Sequence, residues 1–179
     1  MFGLETLIGV FLAHGGPRAG LRPSFADRLL RFIQSKPGRR LYAISRGLGA
    51  NRGTIKYYLR ILEKEKDVVV LRPKAAPAQY FPASTKPSDL PLLSLLARGR
   101  VLDVARSILS EPGTPQIEII ERIRMSRRVF RMYANLLMGA ALVREVRAPH
   151  SCRYFPTPRL AELVAQFGED DPLKRGAKP

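Results

Sequence analysis

The sequence predicts a mainly α, α+β fold assembled from one unit used twice, each copy three helices followed by a β-hairpin. Three observations carry that expectation. Apolar residues recur at three-and-four spacing in successive segments, the mark of amphipathic helices. Each group of such segments is followed by two short β-branched or aromatic runs around a Pro-bearing loop. The pattern also repeats: Ile44, Leu48, Ile55, Tyr58 and Leu62 map onto Ile119, Ile123, Phe130, Tyr133 and Leu137 at a constant 75 residues. Arg31-x-Ile33-x-Ser35-x-Pro37-Gly38 returns as Arg106-x-Ile108-x-Ser110-x-Pro112-Gly113, and Tyr80-Phe81-Pro82 as Tyr154-Phe155-Pro156 after 74 residues.

Residues 1–23 open with an apolar run, Phe2 to Ala13, broken by Glu5 and Thr6 and ended by His14-Gly15-Gly16-Pro17. A bilayer needs about 20 apolar residues, so the run predicts a short helix packed on the body or on a second copy, without membrane insertion. The first unit is expected over 24–83. Ser24 is placed to cap a helix buried through Phe25, Leu29, Phe32 and Ile33, which Lys36-Pro37-Gly38 ends. Tyr42, Ile44 and Leu48 form the apolar edge of a second helix, and Gly47-Leu48-Gly49-Ala50 turns the chain. Ile55, Tyr58, Leu59 and Leu62 make the buried face of a third. Val68 to Leu71 and Gln79 to Phe81 read as strands around a basic loop. Residues 84–90 (STKPSDL) have linker composition, 91–167 hold the second unit and 168–179 a polar tail. Helix, helix, helix and hairpin is the order of a winged helix, so the expectation is two winged helix-turn-helix domains in tandem.

Thirty-one Lys and Arg against fifteen acids leave a net charge of +16, for which a polyanion is the default partner. The single cysteine, Cys152, excludes an internal disulfide and fits a reducing cytoplasm. Two histidines, His14 and His150, make no convincing zinc site. There is no GxxxxGK[ST], HExxH or CxxC, so neither an enzyme nor a cofactor is expected.

The candidate binding residues follow from the helical phase. In the third helix Asn51, Arg52, Thr54, Lys56, Tyr57 and Arg60 point away from the buried face. Arg reads guanine and Asn adenine by paired hydrogen bonds, while Lys and Tyr more often hold phosphates; an Asn at a helix start also caps. The matching helix of the second copy carries Arg127, Arg128 and Arg131 behind a capping Ser126. Arg72 and Lys74, and in the second copy Arg147 and Arg153, would bring the hairpins to the backbone or a minor groove.

The helix motif and the wing closing on Tyr-Phe-Pro resemble the tandem winged helix-turn-helix transcription regulators common in archaea, over residues 25–160. That resemblance implies double-stranded DNA binding and transcription control in the cytoplasm, at the nucleoid, without catalysis. Two other readings stay open: a weakly specific nucleoid protein, and a protein-docking module of a transcription or replication complex; a homodimer through the N-terminal helix or the second unit is a further candidate arrangement.

Overall fold

A computed structural model describes residues 24–148 and 151–168. Over them the chain is an α+β protein of eight α-helices and two small antiparallel sheets. The first unit runs α1 (Phe25–Ser35), β1 (Arg39–Arg40), α2 (Leu41–Leu48), α3 (Arg52–Lys64), β2 (Val68–Leu71) and β3 (Gln79–Pro82). Then come a 3-10 turn (Pro87–Asp89), α4 (Leu90–Leu96), α5 (Val101–Ser110), α6 (Gln116–Arg122), α7 (Arg127–Gly139), β4 (Val143–Ala148), β5 (Ser151–Pro156) and α8 (Pro158–Val164). The expected helix over 1–23, the hairpin tip at Pro149-His150 and the tail from Glu169 lie outside the described residues.

The repeat extends to the backbone. Gly38 and Gly113 have φ of 76° and 83°, Gly49 and Arg124 of 61° and 48°, Lys66 and Ala141 of 62° and 54°. Each pair is 75 residues apart, so the left-handed positions recur with the buried ones even where glycine does not. The Gly38 and Gly113 amides each donate at 2.8 Å, to the Tyr80 and Tyr154 carbonyls. Caps recur as well. Asn51 Oδ1 accepts from the Gly53 amide at 2.7 Å, and Ser126 Oγ from the Val129 amide at 3.4 Å. Ser24 and Asp27 close a capping box on α1.

One strand was not foreseen. β1 pairs with β3 in the register Arg39 opposite Tyr80 and Arg40 opposite Gln79, giving the sheet order β1-β3-β2. In the second copy Pro115 stands where Arg40 stood, and only an isolated bridge from Pro115 to Arg153 remains. Proline has no amide to continue a ladder, which accounts for the loss.

Leu29, Ile33, Ile44, Ile55, Leu59, Leu62 and Val68 form the first core. The second core is larger and takes in Phe81 from β3, with Leu71 packed against it. The expected boundary at residue 83 therefore cuts through a shared interior. Residues 84–90, read as a linker, are folded: Thr85 and Asp89 are buried, and Asp89 pairs with Arg159 at the start of α8. Turn-forming, polar composition points to a linker, whereas the Asp89 carboxylate is buried because a guanidinium on α8 meets it. The tail reading is also corrected at its first residue. The Gly168 amide donates to the Ser35 carbonyl at 2.7 Å, and its own carbonyl accepts from Arg106 at 2.6 Å.

Glycine substitutions test this architecture. A Cβ at Gly38 would lie 2.8 Å from Ala97 Cβ, and one at Gly113 3.0 Å from the Phe155 ring, both at positive φ. Gly38→Ala and Gly113→Ala should each lower stability by more than about 1 kcal/mol. Gly139→Ala, in a helix and with open space around its Cβ, should raise it by up to about 1 kcal/mol. Urea unfolding of the three variants measures both signs.

Candidate functional site

α3 divides cleanly between core and solvent. Ile55, Leu59 and Leu62 are buried, while Arg52, Thr54, Lys56, Tyr57 and Arg60 are exposed. Tyr57 is 62% exposed and meets the half-buried Tyr58 edge to face, with ring centroids 5.2 Å apart; Tyr58 in turn packs on Phe25 at 5.0 Å. Asn51 is exposed, but its carbonyl oxygen is engaged with the Gly53 amide, so it acts as a cap.

Tyr42 corrects the sequence reading. Expected on the buried edge of α2, it is 56% exposed, and the Arg52 and Arg46 guanidiniums lie 5.2 and 6.0 Å from its ring centroid. The signal was present: Leu41, Ile44 and Leu48 already fill the three-and-four spacing, which puts Tyr42 out of phase with the core. The ring holds Arg52 by a cation–π contact at the start of α3, joining the exposed faces of both helices.

The matching face of α7 differs in chemistry. Arg127, Arg128 and Arg131 are exposed, but the positions equivalent to Tyr57 and Arg60 hold Met132 and Asn135. Met132 is 50% exposed, Leu136 one turn on 41%, and Val146 on β4 47%. The second unit thus presents arginines beside apolar side chains.

The hairpins place their basic residues unevenly. Lys74 is exposed in the loop between β2 and β3. One terminal nitrogen of Arg72 donates to both carboxylate oxygens of Glu63, at 2.7 and 2.8 Å, which ties the hairpin to the end of α3 and offsets much of its charge locally. Arg147 and Arg153, expected to bring the second hairpin to the backbone or a minor groove, lie within β4 and β5. Arg147 contacts Glu145 at 3.2 Å, and Arg153 donates to the Gly113 carbonyl at 2.8 Å, so both are committed to the fold while remaining exposed. The strands run further than the Pro-bearing composition suggests because six residue pairs stay in register up to Ala148 opposite Ser151.

One face of this hairpin carries a polar cluster. The Tyr154 hydroxyl is placed to donate to Gln116 Oε1 at 3.3 Å or Glu145 Oε1 at 3.4 Å. Burial first, then the Glu145 charge and Cys152, push its pKa up to about 12, so it stays a phenol. Burial raises the Glu145 pKa, but hydrogen bonds from Cys152 and Arg147 and the charges of Arg147 and Arg131 outweigh it and bring it below the ordinary value of 4.5. Among the described residues no three His, Cys, Asp or Glu side chains are grouped to hold a metal, and no helix is long and apolar enough to cross a membrane.

A folded-state pKa below the unfolded one contributes stability that is complete above the unfolded value and lost as pH falls through the folded one. Glu145→Gln should therefore flatten the stability profile below about pH 4.5 relative to the parent chain. Unfolding series in urea at stepped pH check this; parallel profiles would refute it.

No protein-family model matches the chain, and no curated protein matches it.

Proposed function

We propose that the chain is a double-stranded DNA-binding transcription regulator of the cytoplasmic nucleoid, built from two winged helix-turn-helix units in tandem. The observation that carries this reading is the outer face of α3. A helix sealed to the core through Ile55, Leu59 and Leu62 presents Arg52, Thr54, Lys56, Tyr57 and Arg60 to solvent, on a chain of net charge +16. An α-helix fits the major groove, and the first turn of such a helix is what commonly meets base edges. Arg52, held by Tyr42 at that first turn, is the base reader in this reading. Lys56, Tyr57 and Arg60 hold phosphates, and Lys74 reaches the backbone from the hairpin loop.

A second reading applies to the second unit alone. Met132, Leu136 and Val146 are exposed, and at two of these three positions the first unit has the part-buried Ile61 and Leu71, which supports a protein contact made by the second unit, with a second copy of the chain as one such partner. The alternative of an even coat on DNA rests on charge, without the base-reading geometry.

Titrations on selected and scrambled duplexes at fixed salt separate these readings. Arg52→Ala should cost about 1–3 kcal/mol on the selected site and far less on the scrambled one. Equal losses on both would mean that α3 only holds the backbone, as a nucleoid coat would. Lys56→Ala should weaken both duplexes alike and reduce the slope of log K against log salt by about one unit, the slope being about 0.9 per phosphate neutralised.

The second unit has its own test, replacing Arg127, Arg128 and Arg131 together by Ala. Weaker binding and a shorter protected length are expected if α7 lies on DNA. Unchanged DNA binding with lost self-association, read by sedimentation, would assign α7 to protein docking.

A further inference from the structure

Between the two units lies a cleft of about 750 Å³. Its walls are β1 with the first turn of α2, the start of α3, the return of the first hairpin, and the turn joining α4 to α5. Four arginines line it, Arg39, Arg40, Arg52 and Arg98, together with Tyr42 and Tyr80, and among the described residues no Asp or Glu does. Arg40 and Arg98 have no ion-pair partner among the described residues.

We propose that this cleft binds a free phosphorylated small molecule bearing an aromatic ring, of the nucleoside polyphosphate class. The guanidiniums of Arg40 and Arg98, with no ion-pair partner among the described residues, bring like charge to one concavity, and an anion of several charges relieves that repulsion. The planar fork of arginine matches phosphate oxygens two at a time. The first turn of α2, whose amides have no intrahelical acceptor, adds positive potential to the same wall. Tyr42 and Tyr80 line the same cleft and offer aromatic surface for a ring. The volume suits a ligand of that size, since small-molecule sites span about 300–1,000 Å³.

Because Arg52 and Tyr42 belong both to this cleft and to the exposed α2–α3 face, ligand and DNA share a residue. That consequence rests on the DNA-binding reading; the ligand site itself does not.

Calorimetric titration of the full chain with ATP, adenosine and inorganic tripolyphosphate at physiological salt tests the site. One ATP per chain is expected, with adenosine and tripolyphosphate each at least about tenfold weaker, or about 1.4 kcal/mol. Arg40→Ala with Arg98→Ala should weaken ATP at least about tenfold, whereas Lys64→Ala with Arg144→Ala, which removes equal charge outside the cleft, should change it less than about twofold. All four residues lie outside the buried cores, and thermal melting verifies that both double variants are folded. Tripolyphosphate binding as tightly as ATP, or equal losses in the two double variants, would overturn the site in favour of undirected charge attraction. Saturating ATP should also lower duplex affinity several-fold. Unchanged duplex affinity would overturn the sharing of Arg52, and ATP binding in a chain that binds no duplex would uphold the cleft while refuting the DNA reading.

Discussion

Gln79, 4% exposed on β3, donates from Nε2 to the Gly38 carbonyl at 3.0 Å and accepts from the Ser94 hydroxyl at 2.7 Å. One buried amide thus joins the turn after α1, the first hairpin and the leading helix of the second unit. An amide buried without partners is costly, so the arrangement is favourable only while all three elements stay in place. Phe81, two residues on along the same face of β3, enters the second core. The polar bond supplies direction and the ring supplies burial. Together they set how α3 stands relative to α4, and hence the shape of the cleft between them.

The glycine at position 38 belongs to the same junction. Its positive φ lets the chain turn from α1 into β1, and its lack of a side chain lets Ala97 and the Phe81 ring come close. In the second copy Gly113 meets the Phe155 ring in the same way. There the Gly168 amide instead returns the chain to the end of α1, closing the two units on each other from the other side.

Two copies of one backbone have taken different outward chemistry. Buried positions, caps and left-handed turns are common to both because each copy must close a core with them. The exposed positions carry no such constraint, and they diverge: Tyr57 against Met132, Arg60 against Asn135. Positive charge is spread over both units, yet part of it is committed internally, through Arg72 to Glu63, Arg122 to Glu111 and Arg159 to Asp89. Net charge alone is therefore a poor guide to where a polyanion would lie.

Local regularities made much of this legible beforehand. Helical phase placed Ile55, Leu59 and Leu62 inward and Arg52, Lys56 and Arg60 outward, because a period of 3.6 residues converts sequence spacing directly into faces. The 75-residue repeat foretold two equivalent units, since turns and buried positions are written in consecutive residues. Tyr42 was misplaced only because one apolar residue beside a correct stripe was counted into it. The remainder depended on contacts distant along the chain. That Phe81 serves the second core, that residues 84–90 are packed, that Arg72 is engaged by Glu63 and that four arginines share one cleft follow from how the units meet. Gln79 and Gly38 are 41 residues apart, and a pairing over that distance leaves no periodic trace in the sequence. The pattern of faces was determined by the sequence itself, whereas the seam between the units was decided only by tertiary packing, where shape and buried hydrogen bonds select one docking from many.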